Sequence, residues 1–242
     1  MNSTQLSLSR SMGWMFKSPN WMTNIFWMVI CALLGTVVIG SLVAMGYQIE
    51  IIQKRSRGRE DALPDFQAER FMDYLVRGAW PFLINMVFGF AISMVMMVFF
   101  VVFTLIGSLL SNGEPSPLVG VFMFMGMLII LPVAIFMSFI MGPLCLRAGL
   151  ANNLSEGFKI QWAIDVAKLM WPQMLLAMVF CFVIVLLAEI VGLLMCFIGI
   201  FLTISWAQLA FADLGAQLYD IYLERGGQPV PMMGEAMDAQ IL

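Results

Sequence analysis

The stretch WPFLINMVFGF at residues 80–90 returns in outline ninety-one residues later as WPQMLLAMVFCF at residues 171–182. Each opens with an indole and a proline and runs on into uncharged, mostly apolar residues. A hydrocarbon core about 30 Å thick is crossed by roughly 20 helical residues. Runs of that order occupy about residues 24–47, 81–110, 119–146, 172–191 and 196–222. They predict an all-α, polytopic membrane protein with about five transmembrane helices and additional interfacial amphipathic helices. Short alternating strand patterns are absent, which excludes a transmembrane β-barrel.

Composition points the same way. Of 242 residues, 62% are hydrophobic and 11% charged, and the mean hydropathy is +0.94; soluble domains carry about a quarter charged residues. The net charge of −3 provides no basic surface for nucleic acid. Histidine is absent, so imidazole-ligated haem, histidine zinc sites and Ser-His-Asp catalysis are excluded. Cys31, Cys145, Cys181 and Cys196 lie in or beside apolar runs without paired spacing and read as small core residues. The methionine-rich stretches MVMMV at 94–98 and MFMGM at 123–127 lie inside spans, where methionine reads as adaptable packing and not as copper(I) ligation. No cofactor is expected.

Along the chain, residues 1–23 form an N-terminal interfacial segment, with Trp14, Phe16 and Trp21 around Lys17. Residues 24–225 make one transmembrane domain, and residues 226–242 read as a disordered tail. The first apolar run ends in a basic loop without a small-residue cleavage site, so it reads as a retained anchor. After it, Asp65 follows Pro64 and is expected to cap an amphipathic helix. Phe66, Phe71 and Leu75 would face the bilayer, and Glu69, Asp73 and Arg77 water. Pro132 marks an expected kink in the third run.

Nine Lys and Arg fall in the loops after the first and third runs, and none in the turns after the second and fourth. The positive-inside rule then places those two loops and the C-terminus in the cytoplasm. Five crossings would export the N-terminus, against the sense of Arg10 and Lys17. The alternative is a first segment that dips into the bilayer and returns to the same side.

The opening repetition belongs to a longer order of landmarks. Met45-Gly46 and Met141-Gly142 end apolar runs, a polar amphipathic loop follows each, Trp80-Pro81 and Trp171-Pro172 begin the next spans, and Ile106-Gly107 and Ile198-Gly199 come later. A parallel internal repeat of helix hairpins accounts for this order, as does convergent use of the same interface grammar: indole at the headgroups, proline at a helix start.

Polar residues within spans are expensive and mark candidate sites. They are Asn85, Glu189, Ser205, Gln208, Asp213 and Gln217. The last four share one broad side of the final run with Ala212 and Ala216, a pattern suited to close helix packing. Arg77 and Arg147 are the expected partners of Asp213.

The run FKSPNWMTNIF (Phe16 to Phe26), with MGYQIEIIQKRSRGREDALPDF (Met45 to Phe66) after it, resembles the prokaryotic membrane family known as domain of unknown function 4013. The resemblance rests on Phe16, Pro19 and Trp21, on Gly46 and Tyr47 leading into a basic stretch, and on Leu63, Pro64, Asp65 and Phe66 before the next span. It covers about residues 16–110. The first apolar segment carries GTVVIG where the family pattern suggests a proline break. The resemblance implies a multi-pass protein of a bacterial or archaeal inner membrane and implies no activity.

No nucleophile stands beside a base, so an enzyme is not expected. The expected role is an interaction, scaffold or accessory subunit of a membrane assembly, whose partners are the lipid bilayer and another protein or a second copy of the chain. A small transporter or permease with a site near Asp213 and Asn85 is the alternative.

Overall fold

The computed structural model describes residues 6–58, 63–110, 117–195 and 198–232. The regular structure among the described residues is all helical, with no strand among them. The order is α1 (Leu8–Gly13), α2 (Trp21–Leu34), α3 (Ile39–Ser56), α4 (Phe71–Leu110), α5 (Pro117–Ala151), α6 (Ile160–Leu194) and α7 (Ile198–Glu224), with short 3-10 turns between several of them. Among the described residues three helical stretches, Ala68–Leu109, Ile160–Leu194 and Gly199–Glu224, are long and apolar enough to cross a membrane.

The expected single helix over 24–47 is instead two helices. α2 ends at Leu34, a 3-10 turn covers Gly35–Val37, and α3 starts at Ile39 after Val38 takes a positive φ of 69°. The arms then run back along each other: a Cβ added at Gly40 would land on the Cys31 carbonyl. Met28 and Val43 are both fully buried in the same core cluster. The break lies inside GTVVIG, where Val38 takes the turning conformation without a proline. Gly40 admits the close approach, and without a Cβ there the two backbones can touch.

The Trp-Pro pairs do not begin helices. Pro81 lies inside the 40-residue α4 and Pro172 inside the 35-residue α6. The polar segments before them are the first turns of the same helices. At 1.5 Å per residue α4 is about 60 Å long and α6 about 52 Å, well beyond a hydrocarbon core of about 30 Å. A proline inside a helix forfeits one hydrogen bond, which a long, apolar helix tolerates.

α4 and α6 run in the same direction. The Cys145 thiol near the end of α5 donates to the Pro81 carbonyl near the start of α4, so those two helices are antiparallel. Ala163 of α6 packs with Leu144 and Ala148 of α5, and the short turn at 152–159 makes this pair antiparallel too. The landmark residues nevertheless differ in use. Trp80 packs against the Ile84 cluster whereas Trp171 is 59% exposed. A Cβ at Gly46 would strike the Tyr74 carbonyl, while one at Gly142 would meet nothing within 4 Å.

Three further expectations change. Phe66 does not face the bilayer; it is buried between Trp27, Tyr47 and Tyr74, with ring centroids 5.5, 5.2 and 4.9 Å away. Asp65 caps no helix at 66 and accepts instead from the side-chain amides of Asn20 at 2.7 Å and Asn24 at 3.5 Å. Trp14, expected at the headgroups, is buried in the core, while Phe16 is exposed and pairs edge to face with the half-buried Trp21.

Residues 226–232, expected to begin a disordered tail, pack back on the bundle. Gly226, at φ 80°, ends α7 in the left-handed conformation that glycine adopts without penalty. The chain then folds back: the Gln228 and Val230 amides donate to the Tyr222 and Tyr219 hydroxyls at 3.0 and 2.9 Å, and Val230 is buried. Residues 233–242, Cys196 and residues 111–116, where a turn is expected, lie outside the described residues.

Candidate functional site

The ionisable groups that the fold buries collect at one end of the bundle, in three clusters. The first is built on α7. Asp213 is fully buried and forms an ion pair with Arg55 of α3, whose side chain is 9% exposed. The Ser11 hydroxyl of α1 and the Gln217 amide, one helical turn along α7, donate to its other oxygen at 2.7 and 2.6 Å. Gln217 in turn accepts from the Ser7 amide at 2.8 Å, so the N-terminal segment is fastened to the last third of α7. Arg55 also lies 5.9 Å from the centre of the Trp14 ring.

Asp213 therefore pairs with Arg55 and not with the expected Arg77 or Arg147. The reason is helical geometry. Glu50 and Arg55 are five residues apart on α3, so their side chains diverge by about 140°, and one helix serves two clusters. The second cluster surrounds Glu50, which is 2% exposed. Arg70 donates to both its oxygens, at 2.7 and 2.9 Å, Lys54 stands at 3.1 Å one turn along α3, and Arg77 at 3.5 Å. Burial works to raise the Glu50 pKa, but the hydrogen bonds and charges of Arg70 and Lys54 outweigh it and hold the carboxyl below its ordinary value.

Arg147 belongs to the third cluster. Its guanidinium bonds Glu156 at 2.6 Å and lies 4.8 Å from the centre of the Trp162 ring, and Lys159 reaches the other Glu156 oxygen at 2.5 Å. Burial again opposes, and the Lys159 and Arg147 hydrogen bonds prevail, so the Glu156 pKa is also lowered.

The remaining candidates stand apart. Ser205 is buried and donates to the Phe201 carbonyl at 2.6 Å, a bond within α7. Gln208 accepts from Gln48 of α3 at 3.4 Å. Glu189 is exposed on α6, and Asn85 is half-buried on α4. Neither Asn85 nor Asp213 lines the cavity of about 280 Å³ that lies between α3, α4, α5, α6 and α7. That cavity is walled by apolar side chains, with Gln48 and the two tyrosines as its polar members.

Sequence reading missed Glu50 and Arg55. Glu50 was legible, since an acid followed at the fourth position by a lysine is a helical ion pair. Arg55 was one of several bases in a run, and only the α2–α3 turn brings it beside α7.

No curated protein and no solved structure matches the chain. The family model described as "Protein of unknown function (DUF4013)" matches residues 29–210, from within α2 through α6 into α7, extending well past the stretch that carries the sequence resemblance. With three quarters of its length inside that match, the chain belongs to the DUF4013 family.

Proposed function

We propose that the chain is a multi-pass inner-membrane protein that acts as an interaction or accessory subunit of a membrane assembly. In this reading α4, α5, α6 and α7 span the bilayer. The α2–α3 hairpin dips in and returns, and both termini, with the three ion clusters, stand on the cytoplasmic face. The shared direction of α4 and α6 suits two hairpins related by an axis along the membrane normal, despite their different contacts at Gly46 and Gly142.

The observation that carries the proposal is the environment of Asp213. It is fully buried and held by Arg55, Ser11 and Gln217 together, an arrangement that fixes α1, α3 and α7. A carboxylate committed to three partners is a fastening. The transport alternative has less support, because Asn85 and Asp213 are not gathered about the central cavity. A surface for a partner is supplied where α4 begins, with Met72 70% and Val76 50% exposed beside the Glu50 cluster.

The test is purification in mild detergent with photo-crosslinking residues at Met72 and Val76. A stoichiometric partner protein, or a second copy of the chain, crosslinked at both positions is expected. A lone monomer that crosslinks only lipid would overturn the proposal.

A further inference from the structure

The cavity of about 280 Å³ is lined by residues of α3, α4, α5, α6 and α7. Its α6 wall is Trp162, Val166, Met170 and Met174, every fourth residue of one face, so the space extends roughly 18 Å along the bundle. The end nearer the ion clusters is closed. Trp162 and Tyr222 meet edge to face with centroids 5.6 Å apart, the Arg147 guanidinium covers the Trp162 ring, and the Trp162 indole donates to the Gln228 carbonyl at 3.4 Å. The other end is open: Gly142 is exposed with no atom within 4 Å of an added Cβ, and Met45 and Met174 are only half-buried.

A narrow apolar space is a poor site for water, and a helix about 10 Å across does not enter one of this volume. A hydrocarbon chain does. Methionines at both sides of the opening supply an adaptable wall for a flexible occupant. We infer that this cavity takes the distal part of one acyl chain of a bilayer phospholipid, inserted past Gly142. The inference rests on the bilayer placement proposed above and not on the protein-partner role.

The test reconstitutes the full chain in vesicles containing phosphatidylethanolamine with a photoactivatable diazirine at the end of one acyl chain. After irradiation, labelled peptides are identified by mass spectrometry. Label is expected on the cavity peptides holding Ile49–Ile52 and Val166–Met174, together with general label on the outer face of α4 around Phe90–Met97. Gly142→Phe, whose Cβ would meet no atom within 4 Å, puts a ring at the opening and should reduce the cavity label at least fivefold and leave the α4 label unchanged. Met174→Trp, narrowing the same opening from α6, should do likewise. Cavity label that is absent in the unmodified chain, or undiminished in both variants, while α4 is labelled, overturns the inference. Absence of label on α4 as well overturns the bilayer placement beneath it.

Discussion

Asn24 and Tyr47, which one straight helix would hold about 34 Å apart, hydrogen-bond to the same short stretch of chain. The Asn24 side-chain oxygen accepts from the Phe66 amide at 2.8 Å, and the Tyr47 hydroxyl donates to the Pro64 carbonyl at 2.6 Å. This relationship closes the α2–α3 hairpin at its base, as Gly40 against Cys31 closes it near its tip.

The tip responds to substitution in two opposite directions. Gly40→Leu places a side chain on the Cys31 carbonyl and is expected to cost about 1–3 kcal/mol, the usual range for overpacking. Val38→Gly removes a β-branched residue from a positive φ and is expected to stabilise by about 1 kcal/mol. Unfolding midpoints in detergent check both, and a stabilising Gly40→Leu would show that the arms are not in contact.

The Asp213–Arg55 pair gives a double-mutant prediction. Asp213→Asn retains a hydrogen-bonding side chain but leaves the buried Arg55 without its counter-charge, at an expected cost of about 3–5 kcal/mol. Combining Asp213→Leu with Arg55→Leu removes both charges and should recover most of that loss. Reversible unfolding of Asp213→Leu, Arg55→Leu and the double variant measures the coupling. Additive losses would mean that the two charges do not act as a pair.

Glu50 predicts a pH dependence. Its folded pKa is lowered, so its contribution is fully present above the unfolded carboxylate value of about 4.3 and is lost as pH falls below that value and through the folded one. Stability should therefore drop on acidification in this window, and Glu50→Gln should flatten the drop. At neutral pH that variant is expected to cost about 2–3 kcal/mol, below the range for a fully buried broken pair because Arg70 and Lys54 are one-third exposed and can turn to water. An unchanged acid limb in Glu50→Gln would assign the dependence to other carboxylates.

The apolar runs gave away the helices, because hydrophobic length is additive along the chain and needs no tertiary information. Where those helices begin and turn was less legible. The starts of α4 and α6 were hidden because Pro81 and Pro172 carry the local signal of a helix start, yet ten or more residues before each already pack as helix. The hairpin stood only as the alternative, because Gly35 and Gly40 in an apolar run are equally consistent with a span, and the 64–66 stretch, docking at both arms, decides between them. For Asp213, burial and a basic partner followed from its type and position in α7. The identity of Arg55 did not, because α3 reaches α7 only once the chain has turned at Val38.

The central claim is that the chain turns back at Gly35–Val38, so that its N-terminal segment and the end of α7 stand on the same side of the membrane. Single cysteines at Ser9, Ser155 and Gln228, in a background with the four native cysteines replaced by alanine, test this most directly in intact cells with an impermeant thiol reagent. The account predicts that all three resist labelling until the cells are lysed. Labelling at Ser9 from outside, with Ser155 and Gln228 still protected, would contradict it and restore a chain that crosses five times.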